Sequence, residues 1–299
     1  MKIPFIGIVL LFSFTSCITK KIAKATKVKV EVIKELNKKE TILVDSIVVN
    51  GNKKLEKNKR DSILNLLFTN KIYSIKKDND SIQIVIAALE LLIADKKHFK
   101  DTYKEIILPK LKQLESYSSN AGNRMKIYLM LEEGLNVTNF TLFDLAAFFG
   151  PGKYLIPQNK SELVIKSFDP MLDSVIYFSN KFSTVPRTAS LVILGFSDGQ
   201  SFGALNNSNE RLRKLLNKKN ATSQQLNQKL SELRAQELIN ILSVRFLKRS
   251  AEIKGFELFK IEYLGRGKGE EFPLPNIKNY KTIDERRRVV ICYWAVLPD

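Results

Sequence analysis

Residues 227–242 read NQKLSELRAQELINIL. At about 100° per residue, Leu226, Leu230, Leu233, Leu238, Ile241 and Leu242 fall on one broad apolar arc, and Arg234 lies inside that arc. The pattern predicts an amphipathic helix carrying a guanidinium on its greasy side. A charge in such a place needs a partner, because a buried ion is tolerated only when paired and hydrogen-bonded. What stands opposite Arg234 is therefore the question on which the fold of this region turns.

Working outward, the segment upstream contains a strand from Ser190 to Phe196, preceded by a break at Pro186 and a helix from about Lys160 to Lys181. Further back, Phe140 to Phe149 reads as a strand closed by Gly150-Pro151-Gly152. Downstream come a strand around Phe256 to Leu264 and the turn Gly265-Arg266-Gly267-Lys268-Gly269. That turn superficially resembles a phosphate cradle, but it lacks the Gly-Lys-Ser/Thr ending and the following helix, and it is read as a tight turn. The run Val289 to Val296 has no polar alternation, so both faces should be covered, as in an interior strand. The order β-α-β-α-β-β predicts an α+β sandwich over residues 141–299 with helices on one face.

Residues 51–135 repeat apolar positions at helical spacing and predict a small helical region. Lys77-Asp78-Asn79-Asp80 and Ser118-Ser119-Asn120 are expected to break it, with Asp80 or Ser81 as an N-cap. Residues 18–50 mix eight lysines up to Lys39 with Val and Ile and read as a tether; a solvated run is the plain interpretation, and an anionic surface nearby would add attraction. The single histidine, His98, has no second histidine or cysteine near it, so no metal site is expected, and no cofactor motif appears.

The N-terminus bears on location. Met1-Lys2 precedes an apolar run, Ile3 to Phe14, which is too short for a spanning helix but suits a secretory core segment. Thr15-Ser16-Cys17 follows and resembles a bacterial lipoprotein signal, which implies residues 1–17 as signal peptide and Cys17 as the lipidated first residue. Phe14 is bulkier than the leucine usual at its position, so cleavage without lipidation is the alternative. Apart from Cys17 only Cys292 remains, in an apolar strand, so no disulfide framework exists and Cys292 reads as a core thiol. Forty-nine Lys and Arg against 31 Asp and Glu give +18, which favours anionic partners. Export removes nucleic acid from that list and leaves acidic lipid or wall polymer.

Three motifs lie in order: Gly195-Phe196-Ser197-Asp198, Asn227-x-x-Leu230-Ser231-x-x-Arg234-Ala235, and Gly267-x-Gly269-Glu270-x-x-Pro273, with Arg287-Arg288-Val289 entering the last strand. Together they resemble the OmpA-like (Pal-related) peptidoglycan-binding domain, over about residues 141–299. The resemblance implies a non-catalytic, lipid-anchored outer-membrane protein facing the periplasm, in which Asp198 and Arg234 grip the diaminopimelate of the wall peptide. A guanidinium holds a carboxylate as a fork and an aspartate accepts from an ammonium. Asn227, as a candidate cap, and Ser231 would add neutral hydrogen bonds, Ser197 stands where the family has Thr, and Arg287 is a candidate for lining the groove. Residues 199–225 are an insertion relative to the family pattern, positioned to cover or extend the pocket.

Two other readings stand beside this one. Asp198 and Arg234 could form a structural ion pair with no ligand. The domain could also be a docking scaffold of an envelope or secretion machine, with envelope proteins as partners. No nucleophile–base pair, catalytic carboxylate pair or metal cluster suggests an enzyme.

Overall fold

The computed structural model of the protein describes residues 6–57, 62–137, 140–143, 149–150, 152–199, 201–202, 207–274 and 277–299. Two compact units divide the chain. The first holds the residues up to Lys53 together with Thr69–Glu132, and the second holds Lys54–Phe68 and Glu133–Asp299.

The first unit is built from most of helices α1 (Ile6–Lys57), α2 (Ser62–Ala94) and α5 (Ala121–Asn136), with α3 (Phe99–Thr102), a π-helical turn (Tyr103–Ile107) and α4 (Leu108–Ser119). Along α1 the buried positions are Thr26, Val30, Ile33, Asn37, Glu40, Val44 and Ile47, in alternating steps of four and three residues. Ile72, Ile75, Asn79, Ile82, Ile86 and Leu89 do the same along α2. This is the spacing of helices packed along a seam. The chains run antiparallel: Lys34 meets Glu90, and Asp45 meets Lys76.

Polar seam positions face one another and form a buried layer. The Asn37 amide donates to Asn79 Oδ1 at 2.9 Å, and the Asn79 amide donates to Thr41 Oγ1 at 2.8 Å. Glu40 accepts from Arg124 Nε (2.9 Å) and Nη2 (2.8 Å) and from the Tyr117 hydroxyl (2.7 Å). Burial pushes the Tyr117 phenol up to about 12, so it remains a donor. A layer of this kind tolerates one register only, since any slip strands a buried charge.

These observations correct the sequence-based fold class. The chain is mostly helical, its helical region is large and begins at Ile6, and the sheet is small and mixed, so a small helical region leading a βαβαββ sandwich does not describe it. Residues 18–50, expected to be a tether, are helix, and α2 passes unbroken through Lys77–Asp80. Both misreadings have one cause: Asn37, Glu40 and Asn79 occupy core positions that an apolar-only pattern leaves blank.

In the second unit, β1 (Phe140–Phe143), α6 (Gln158–Lys181), β2 (Arg187–Gly195), α7 (Asn207–Leu215), α8 (Ser223–Lys248), β3 (Phe259–Gly267) and β4 (Val290–Pro298) follow in order. The sheet order is β1-β4-β2-β3, with β2 parallel to β3 and antiparallel to β4. β4 therefore lies inside the sheet, which accounts for its unbroken apolar run. The strand expected over Phe140 to Phe149 is present as Phe140–Phe143, and residues 144–148 lie outside the described residues. Helix α8 packs on β2 and β3, and α6 packs on α8 and β4.

Arg187, at the start of β2, is fully buried. Its Nε donates to Ser179 Oγ at 2.7 Å and its Nη2 to the Lys254 carbonyl at 2.6 Å, while Nη1 reaches the carbonyls of Ser183, Val185 and Gly255. With every donor group engaged, this arginine ties strand to loops and leaves nothing for a ligand.

Helix α8 approaches the strand ends closely: a Cβ on Gly195 would lie 2.1 Å from the Ser231 carbonyl oxygen. Backbone atoms on both sides cannot yield cheaply. Gly195→Ala should lower the unfolding free energy by about 2 kcal/mol or more. Gly122→Ala, where a Cβ meets nothing within 4 Å, should be neutral or stabilising by about 0.5 kcal/mol; urea titration monitored by circular dichroism compares them.

Candidate functional site

Helix α8 begins with a capping box: the Thr222 side chain accepts from the Gln225 amide N–H, and the Gln225 side chain accepts in return from the Thr222 N–H. The cap is thus Thr222, and Asn227, the candidate from sequence, lies inside the helix. The buried face runs through Asn227, Leu230, Ser231, Arg234, Ala235 and Leu238. Its polar half faces the carboxyl ends of β2 and β3, where small residues let the helix approach. A Cβ on Gly267 would sit 2.5 Å from Ser231 Oγ.

Ser197, Asn227 and Ser231 act together in this approach. The Ser197 N–H donates to the Gly269 carbonyl at 2.8 Å, and its hydroxyl lies 3.0 Å from that carbonyl and 3.2 Å from that of Asn227. Ser231 Oγ accepts from the Gly269 N–H at 2.9 Å and donates to the Gln228 carbonyl at 2.7 Å. The Asn227 amide donates to Glu270 Oε1 at 2.8 Å. All three side chains are buried and clasp the β2 end, α8 and the turn at Gly269, whose φ of 53° is left-handed. Sequence reading missed Glu270 as a member of this group, although it occupies the third motif.

The two charged residues are placed differently from expectation. Asp198 is 2% exposed, and one oxygen, Oδ2, accepts from Arg288 Nε (3.0 Å) and Nη2 (2.8 Å). Its ion pair is with Arg288, not Arg234. Arg234 is 0% exposed and donates from Nε to the Lys153 carbonyl (3.1 Å) and from Nη1 to the Phe196 carbonyl (3.0 Å). Its Nη2 is buried with no hydrogen-bond partner among the described residues. The guanidinium lies 5.3 Å from the centre of the Phe149 ring. Burial lowers its pKa to about 10; the Asp198 charge opposes that shift and Arg288 reinforces it.

Arg234, expected to grip a ligand together with Asp198, therefore does not stand at an open pocket. Its head is covered by Phe149 and the Lys153 backbone. Beside them, Leu212 from α7 and Ala221 pack with Leu226 and Leu230 of α8, together with Tyr154 and Phe202. The insertion 199–225 thus adds helix α7 and apolar cover to the start of α8.

Arg287, expected at the groove, is buried in its own loop. Nη1 donates to the carbonyls of Lys281 (3.2 Å) and Thr282 (2.9 Å), and Nη2 donates to that of Glu270. Its guanidinium stacks 4.8 Å from the Phe272 ring, which itself stacks on Tyr280 at 5.2 Å. The adjacent Arg288 takes the ionic role, a distinction that consecutive arginines in a sequence do not reveal.

The side chain of Cys17 lies outside the described residues. Among the described residues no group of three or more His, Cys, Asp or Glu could hold a metal ion, and no helix is long and apolar enough to cross a membrane. His98 Nδ1 lies 2.8 Å from Asp95 Oδ2 on the surface. No protein-family model matches this chain, and no curated protein or solved structure matches it.

The geometry makes a claim about coupling. A double-mutant cycle of Asp198→Asn with Arg288→Gln should give an interaction energy of about 1–3 kcal/mol in urea unfolding. The cycle of Asp198→Asn with Arg234→Gln should give clearly less, and the reverse ranking would contradict the pairing described.

Proposed function

We propose that this protein is a non-catalytic envelope protein, held on the outer membrane through Cys17 and facing the periplasm, whose second unit binds the peptide stem of peptidoglycan at Arg234. The observation that carries this reading is the Arg234 Nη2, a buried donor beside the Asp198 charge with no partner among the described residues. An unmade hydrogen bond of a buried group costs about 1–3 kcal/mol, and more when the group is charged. A ligand carboxylate taking Nη2, and replacing the Lys153 carbonyl at Nε, would complete the two-pronged contact that a guanidinium favours. Arg288 engages only Oδ2 of Asp198, so the second carboxylate oxygen is the acceptor for the ligand ammonium. The ordered motifs around Asp198, Arg234 and Glu270 support the same ligand class.

One observation favours a second reading. Asp198 already has a cation and Arg234 is covered, which suits a rigid scaffold that docks other envelope proteins, with α7 as the added surface.

Retention on isolated sacculi tests the first reading and separates it from the second. The full chain should co-sediment with sacculi, and Arg234→Gln with Asp198→Asn should reduce retention at least tenfold while circular dichroism confirms folding. Undiminished retention of a folded double variant would exclude this site. Co-purification of a protein partner that survives the double variant, but not a shortened 199–225, would support the scaffold.

A further inference from the structure

In the first unit, the fold brings together two lysine groups that are some seventy residues apart in sequence. Lys27 and Lys96 border one groove whose walls include Val30, Ile93 and Ala94. Close by, Ile22 and Ala23 pack against the cluster that contains Leu89 and Phe99. This end of the helical unit therefore carries Lys20, Lys21, Lys24 and Lys27 of α1 beside Lys96, Lys97, Lys100 and Lys104 of the α2–α3 corner, all exposed.

None of these eight is in an ion pair among the described residues. The nearby carboxylates Glu115 and Glu90 are engaged by Lys29 and Lys34, and Asp95 by His98 and two backbone amides. Glu31, Glu35, Asp101 and Glu105 remain exposed, so positive charge prevails. Val28 and Val32 are 57% and 64% exposed on the same stretch of α1.

We propose that this end of the helical unit binds the anionic phospholipid head groups of a bilayer surface. The chemistry of the cluster favours a diffuse partner: it consists of lysines, mobile point charges, without the fixed guanidinium forks that select discrete phosphate or carboxylate geometry. Each lysine near an anionic leaflet adds attraction that fades within a Debye length, so several must share one face. The inference is independent of wall binding, because all its residues lie in the first unit.

The test uses the full chain and co-sedimentation with vesicles of phosphatidylcholine, alone or mixed with phosphatidylglycerol. Replacing Lys96, Lys97 and Lys100 by glutamine should weaken binding to the anionic vesicles at least tenfold and leave binding to neutral ones unchanged. A variant with Lys218, Lys219 and Lys278 replaced by glutamine has the same net charge and should bind like the wild type. Equal losses in both variants, or binding indifferent to phosphatidylglycerol, would overturn the proposal. So would a soluble polyanion whose binding is lost in the corner variant while anionic vesicle binding persists.

Discussion

A guanidinium with 0% exposure, projecting from the middle of α8 against the end of β2, governs the second unit. Carbonyls of Lys153 and Phe196 satisfy two of its three nitrogens. The third has no partner among the described residues. The Phe149 face returns about 2 kcal/mol when such a contact is desolvated, which is comparable with one missing hydrogen bond. The arrangement is tolerable without a ligand, yet it retains a donor for which a carboxylate is the natural acceptor.

Everything around Arg234 serves to hold it there. The glycines at positions 195 and 267 let α8 approach until its backbone touches the strand ends, and Ser197, Asn227 and Ser231 lock that approach through carbonyls and amides of the Gly269 turn. Arg288 neutralises Asp198, and Arg287 fastens the loop that delivers Arg288. Side chains that a motif groups as binding residues thus divide into two kinds. Ser197, Asn227 and Ser231 form the clasp, whereas Arg234 and Arg287 each keep a buried nitrogen with no partner among the described residues, and that of Arg234 lies beside the Asp198 charge.

Legibility in the sequence followed chemistry more than spacing. The interior strand β4 and helix α6 could be read because their apolar patterns are uninterrupted. The seam of α1 could not, since Asn37 and Glu40 fill two of its positions and find partners only on α2, α4 and α5. The motifs set Asp198 beside Arg234, whereas the fold gives Asp198 to Arg288. Periodicity places a residue on a helix face but does not say which of several arginines arrives first at a carboxylate ninety positions away.

The same distinction separates the two units in kind. In the first, buried charge is fully matched, with Arg124 and two tyrosine hydroxyls around Glu40. That network sets register and has nothing to offer a ligand. In the second, buried guanidinium nitrogens of Arg213, Arg234 and Arg287 have no partner among the described residues, and of these Arg234 Nη2 is the one beside the Asp198 charge. Nitrogen-detected NMR of the arginine side chains during titration with a diaminopimelate-containing stem peptide addresses it directly. The Arg234 resonances should shift saturably with the bound fraction; Arg234 signals that stay fixed while the peptide binds elsewhere, or fails to bind, would contradict the account.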